Sequence, residues 1–368
     1  MVYTGRTDFK LPIVSPYRLD QERQADYFAA VEDITRTGAY RTTSGWSTRA
    51  MELVAAELRL SESWEVVPTR SGTDALVMAL TMAGVRPGAY VAAPDLAYHA
   101  VGAAIFQIGA LPRWIDVDPC TLNIDLADLA TAFDHLPLAA VIGVDNYGTR
   151  CDRTSIAQLC SAAGVPFVLD ACESLGTPEG GANRAALADF VAISFSFTKP
   201  IHAAGTGGAL CAPRAVVRDR GGDPGLLMHP RRLPELNAAY LVLSWPDLRG
   251  VIGKLRSIYT AYHERLRGWG LTGQRGEAGS SRIHAPFLLP EGSNRKERDA
   301  LIDHLARSGF EARPYFESQS RLWGMPAPPC SANLAQRVIC LPTGAGFPHG
   351  SLDEVAAEVI SWMEARRG

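Results

Sequence analysis

The sequence predicts an α/β protein, a mainly parallel sheet sandwiched by helices, followed by a smaller α+β C-terminal domain. Three observations predict it. Strand-like and helix-like segments alternate between residues 64 and 212, the pattern of consecutive βα units. After about Leu243 the texture changes to longer helical stretches with only isolated strand-like runs. At 368 residues the chain exceeds one ordinary domain, and about two are expected. The boundaries follow: a large domain over 1–245, opening with an N-terminal arm over about 1–20, and a small domain over 246–368.

Taken in order, the strand candidates are WEVVP from Trp64, YVAAP from Tyr90, PRWID from Pro112, AVIGV from Ala140, PFVLD from Pro166, FVAISF from Phe190 and GALCA from Gly208. TDALVMALTMAG, from Thr73 to Gly84, is apolar nearly all round and reads as a fully buried helix stopped by glycine. DRTSIAQLCSAAG offers Asp152 as N-cap and ends at Gly164. In the second half a helix runs from Asp247 towards Trp269, interrupted by glycines. RIHAPFLLP reads as a strand, and NRKERDALIDHLARSGF as a helix with a capping box at Asn294 and Glu297. FEARPYF reads as another strand, and SLDEVAAEVISWMEARR as a last helix capped by Ser351 and Glu354.

Composition narrows the function. Hydrophobic residues make up 47% and charged residues 20%, enough for a large core. A net charge of -3 without a lysine-rich tract argues against a nucleic acid or a membrane as standing partner. Apolar runs are shorter than a bilayer span and the N-terminus lacks a signal-peptide core, so the expected location is cytoplasmic. The seven cysteines form no C-x-x-C pair and read as reduced thiols; the eight histidines show no ligand spacing, so no metal is expected.

Lysine is scarce. Only Lys10, Lys199, Lys254 and Lys296 occur among 36 basic residues, and Lys199 closes the apolar run SFSFTK. Lysine differs from arginine in that its amine can lose its proton on burial and form an imine. In open parallel sheets ligands sit beyond the carboxyl ends of the strands. TRSGTDAL follows the first strand there, and the helix start at Gly72 and Thr73 suits an anion. Tyr98 follows the second strand, Asp170 ends the PFVLD strand, and Ser194 precedes Lys199. An anion cradle, an aromatic, a carboxylate and an imine-forming lysine are what a pyridoxal 5′-phosphate site requires.

The chain resembles the DegT/StrS family of pyridoxal-phosphate enzymes of fold type I, the aspartate-aminotransferase-like sugar and cyclitol aminotransferases. SGTDALVMALTMAGVRPGAYVAAP, DPCTLNID, VDNYGT, VLDACESLG, SFSFTK with the glycines after it, and CLPTGAGF carry the resemblance in order. It implies that Lys199 holds the cofactor as a Schiff base, Asp170 pairs with the pyridine nitrogen, and Tyr98 stacks on the ring. It places Glu173, where many members have glutamine, near the ring hydroxyl, and Gly72, Thr73 and Ser194 at the phosphate. It also implies a homodimer with a shared active site. Pro230 stands where many members have an asparagine reaching the neighbouring subunit's phosphate, which leaves Arg231 or Arg232 for that contact, or no contact. Thr206 stands where an acid is usual, and TPEGGANRAALAD looks shorter than the family's loop.

The expected function is transfer of an amino group from L-glutamate or L-glutamine to a keto-sugar, nucleotide-linked, in amino-sugar or antibiotic biosynthesis. Lys199, of lowered pKa, would move the proton, and Arg231, Arg232, Arg313 and Tyr315 are candidate acceptor contacts. A keto-cyclitol acceptor and a lyase or dehydratase of the same fold are the alternatives. A non-catalytic cofactor- or nucleotide-sugar-binding regulator lacks an appended DNA-binding segment, and a nicotinamide dehydrogenase lacks G-x-G-x-x-G. His202 is expected to be a neighbour of Lys199 and not a base.

Overall fold

The computed structural model describes residues 9–40, 45–177, 187–220, 232–277, 279–348 and 350–367. Strands β1 (Trp64–Thr69), β2 (Tyr90–Pro94), β3 (Leu111–Ile115), β4 (Leu138–Val144), β5 (Phe167–Asp170), β6 (Phe190–Ser194) and β7 (Gly208–Pro213) form one sheet, in the order β1-β7-β6-β5-β4-β2-β3. β3, β2, β4, β5 and β6 run parallel, while β7 is antiparallel to both β6 and β1. β5 and β6 are buried at every position, as near-continuous apolar strands are when helices cover both faces.

Strand alternation divides the side chains between two cores. Val91, Ala93, Ile142, Val168 and Ala192 pack with the helix Gly72–Met82, in which Ala75 through Leu80 are wholly shielded. Ala92, Val141, Leu169 and Val191 face the other way, onto the helices Trp46–Glu57, Arg153–Ala163 and Glu235–Ser244. Asp152 caps its helix by accepting from Ser155 N, and Gly164 ends it in the left-handed region at φ 66°. The buried-helix and capping expectations are met.

A second sheet holds β8 (Thr272–Gly273), β9 (Ala285–Leu288) and β10 (Val338–Leu341), antiparallel in the order β10-β9-β8. The helix after Asp247 spans Leu248–Leu266 without a break, because Gly250 and Gly253 face open space. Asn294 and Glu297 form the expected capping box on Arg295–Arg307. One expectation fails. FEARPYF forms no strand: Phe310 bridges Leu11 and Arg313 bridges Cys340 as isolated residues, and Pro314 supplies no N–H to extend a ladder. The last helix spans Ser351–Arg367, and its Glu354 carboxylate pairs with Lys10.

The described part of the arm crosses the C-terminal third of the chain. Leu11 bridges Phe310, Val14 bridges Thr343, and Ser15 fits against Gly344, where a Cβ would lie 2.2 Å from the Ser15 carbonyl oxygen. Tyr17 then donates to Asp247 at 2.7 Å.

Candidate active site

The carboxyl ends of β1, β2, β4, β5 and β6 converge with segments from around the second sheet. At β1, Ser71 caps the helix Gly72–Met82 by accepting from Asp74 N at 3.1 Å. A Cβ on Gly72 would lie 2.7 Å from Cys172 Sγ and 2.9 Å from Ser194 Cβ, so glycine is what lets the helix start press against the ends of β5 and β6. A Cβ on Gly208 would meet the Ser71 carbonyl carbon and oxygen at 2.5 Å, which assigns this glycine to the tight seat of the β1 turn. Thr206, where an acid is usual, donates its hydroxyl to the Arg70 carbonyl at 2.8 Å and steadies the same turn. Thr73 is the second residue of the helix and only partly buried. The helix start, with its N–H groups and the positive end of its dipole, therefore lies beside Ser194, an arrangement that suits an anion.

Lys199 sits in the turn after β6, its N–H bonded to the Ser196 carbonyl at 2.9 Å. Its side chain is 11% exposed, and Nζ lies 3.3 Å from Glu173 Oε1. Glu173 Oε2 accepts from Tyr147 N at 2.8 Å, and Oε1 also lies 3.2 Å from His284 Nε2. Burial opposes charge on Glu173, but Lys199, His284 and the Tyr147 N–H outweigh it and hold the carboxyl at about 2. Asp170, last in β5, accepts from Cys172 N at 3.0 Å, and burial pushes its pKa up from the ordinary carboxylate value, opposed by that N–H and by Lys199. The two neighbouring carboxyls are thus shifted in opposite directions.

Lys199 departs from expectation. Burial alone would lower its pKa, yet Glu173, Cys172 and Asp170 together raise it. The free amine is an ammonium held by a carboxylate, not a neutral base in wait.

Aromatic residues wall the space. Tyr98 remains 44% exposed, with Phe316 at 5.8 Å and His99 at 4.1 Å between ring centroids. Tyr147 is fully buried; its hydroxyl donates to the Tyr315 carbonyl and accepts from Phe316 N, both at 2.9 Å. Tyr315 packs edge-on against His284 at 5.4 Å, which places it in the cluster. Arg313 is elsewhere engaged, paired with Glu311, whose other oxygen accepts from Ile13 N. Arg232 is exposed, and Arg231, Pro230 and most of TPEGGANRAALAD lie outside the described residues. Both nitrogens of His202 are used by the backbone, Nε2 with the Tyr17 carbonyl and Nδ1 with Ala204 N, so it is a structural neighbour.

Gly72, Thr73, Ser194, Asp170, Glu173, Lys199 and Tyr98 are therefore brought to one place. Their donors suit the expected cofactor: a cradle for a phosphate that a Cβ would fill, a buried carboxyl and a single amine. Sequence reasoning missed Tyr147, His284 and Ser281. VDNYGT had been noticed only as a motif, and His284 only as part of an apolar strand. A polar ring entering such a run was the available signal.

Comparison with known proteins gives a family and a fold. A family model described as the DegT/DnrJ/EryC1/StrS aminotransferase family matches residues 21–219 and 225–360. The chain is 27% identical over 353 residues to UDP-N-acetyl-3-dehydro-alpha-D-glucosamine 3-aminotransferase of Acidithiobacillus ferrooxidans, covering 90% of this chain and 93% of that protein. It is 26% identical to GDP-perosamine synthase of Vibrio cholerae, with 85% and 91% covered. Among solved structures, the PMP form of a sugar aminotransferase from Streptococcus pneumoniae superposes with a TM-score of 0.82 at 19% identity, covering 96% of this chain and 98% of that one. At that identity the likeness concerns the fold.

Proposed function

The chain belongs to the DegT/DnrJ/EryC1/StrS aminotransferase family, and we propose on that premise that it moves an amino group from L-glutamate or L-glutamine to a keto-sugar carried on a nucleoside diphosphate. The observation that carries this reading is the meeting of Lys199, Asp170 and Glu173 beside the Gly72 helix start. The cofactor is pyridoxal 5′-phosphate, which supplies an electron sink for a carbanion at the donor's α-carbon.

The residues divide the work. The N–H groups at Gly72 and Thr73, with the Ser194 hydroxyl, bind the phosphate, and Gly72 allows the close approach. Asp170, at the end of β5, would pair as a carboxylate with the ring nitrogen and keep that nitrogen protonated. Tyr98 would lie against the ring. Lys199 would hold the cofactor through its amine and would serve as the general base that moves a proton from the donor's α-carbon. In the cofactor-free site the same amine is an ammonium paired with Glu173. The nucleotide-linked acceptor is supported by the names of the relatives, which act on UDP- and GDP-linked sugars by those names.

A homodimer is part of the proposal. Phe197, two residues before Lys199, is 56% exposed, and an apolar ring beside the site favours cover by a second subunit. A reducing, cytoplasmic location is supported by seven free cysteines. No helix of the described residues is long and apolar enough to cross a membrane.

The test is an absorption spectrum of the protein reconstituted with pyridoxal phosphate, before and after L-glutamate or L-glutamine. Conversion of the yellow form to the pyridoxamine form supports the reading, and a band unmoved by either donor counts against it. Offering UDP- and GDP-linked keto-sugars and keto-cyclitols to the aminated protein then identifies the acceptor by product mass.

A further inference from the structure

Glu173 is gripped twice by one short segment leading into β9. Ser281 donates its hydroxyl to the Glu173 carbonyl oxygen at 2.6 Å, and His284 places Nε2 3.2 Å from the Glu173 carboxylate. A carboxylate only accepts, so His284 Nε2 carries the hydrogen of that contact. The ring is 5% exposed, and its Nδ1 has no partner among the described residues. A buried imidazole with one satisfied nitrogen is a poor choice for packing alone, since the unpaired nitrogen costs free energy that a leucine or phenylalanine would not. What the imidazole adds is an N–H aimed at the oxygen that Lys199 approaches.

We propose that His284 is a positioning residue that holds Glu173 as the resting partner of the free Lys199 amine, fixing the lysine whenever it is not bonded to the cofactor. The inference deepens the functional reading and rests on it for the identity of Lys199 as the cofactor lysine. The Tyr147 N–H restrains the second carboxylate oxygen, so Glu173 cannot swing away, and His284 with Lys199 shares the first. Lys199, Asp170 and Cys172 are the other titratable groups around the carboxylate on its own side of the fold. From the facing elements come Tyr147, its hydroxyl spent on Tyr315 and Phe316, then Tyr315 itself and Cys340. Of these, only the lysine and the histidine offer a side-chain cation or N–H donor to the carboxylate.

The readout is the state of the Lys199 amine in the cofactor-free full-length chain. Trace acetylation with acetic anhydride across pH 7 to 11, located by peptide mass spectrometry, gives the pH midpoint of each lysine, with exposed Lys296 as internal reference. We expect the wild-type Lys199 midpoint above the ordinary lysine value. Glu173→Gln should lower it by about one pH unit, a tenfold gain in labelling on the rising limb. His284→Ala should move it the same way by a smaller amount, and His284→Gln, which restores an N–H donor, should return it towards wild type. A His284→Ala midpoint equal to wild type overturns the proposal, whether or not Glu173→Gln shifts. Where Lys254 labelling shows that His284→Ala has loosened the fold, His284→Phe takes its place, with the same two outcomes. Failure of the wild type to bind pyridoxal phosphate overturns the functional reading instead, and leaves the labelling result to be judged separately.

Discussion

Lys199 is the residue on which the chemistry turns, and its replacement gives the sharpest outcome. Lys199→Ala should reduce amino transfer by ~10³-fold or more, because both the attachment point and the proton-moving base are lost. Single-turnover spectroscopy with L-glutamate checks it; activity near wild type overturns the assignment. Glu173 makes a prediction about stability. Lys199, His284 and the Tyr147 N–H hold its folded pKa at about 2, below the ordinary 4.5 of a glutamate, so its contribution is present above pH 4.5 and is lost as pH falls through about 2. The advantage of wild type over Glu173→Gln in chemical denaturation should shrink across that interval. Legibility at this scale was uneven. Lys199 could be read because lysine is rare here and ends an apolar strand, and Asp170 because a carboxyl at such a tip is conspicuous. His284 could not, because nothing in its neighbours along the chain places it beside Glu173; the fold does that across 110 intervening positions. The charge state of Lys199 was misjudged for a similar reason. Burial is legible in an apolar run, whereas the three acidic neighbours that outweigh it are a matter of three-dimensional proximity.

Elements were readable wherever a local rule decided them. Asp152 and Gly164 bracket their helix, Asn294 and Glu297 cap another, and the apolar runs of β4 to β6 became the buried centre of the sheet. FEARPYF has the composition of a strand, but Pro314 cannot extend a ladder and Tyr315 is drawn to the Tyr147 hydroxyl. Two tests belong to this scale. Gly72→Ala forces a methyl against Cys172 and Ser194, and should displace the helix start from the phosphate. The expected result is a loss of about 1–3 kcal/mol in stability together with at least tenfold weaker pyridoxal phosphate binding, read by fluorescence titration. Asn294→Ala should lower stability by about 1 kcal/mol through its lost cap and leave cofactor affinity unchanged. Equal effects of the two on cofactor binding would remove Gly72 from the phosphate site.

For the whole molecule, the two sheets meet at the site. Tyr147 reaches from the β4 turn to Tyr315 and Phe316, and Gln274 reaches back to the carbonyls of Thr121 and Asn146. Tyr147→Phe keeps the packing and removes two hydrogen bonds at a fully buried hydroxyl, and should cost about 1–3 kcal/mol, measured by urea denaturation. That the chain has a mainly parallel sheet followed by a smaller domain was legible from periodicity; that Leu11, Val14 and Ser15 lie against the last third was not, since no local pattern records it. This arrangement has a consequence for biogenesis. Leu11 and Val14 find their bridge partners at Phe310 and Thr343. At ribosomal rates of about 5–20 residues per second, this segment waits roughly 15 to 60 seconds for its seat to be synthesised. Throughout that interval Leu11, Ile13 and Val14 are an apolar stretch without a berth, so nascent chains halted short of residue 310 should be held by chaperones through this stretch, and released once synthesis of its seat lets it dock.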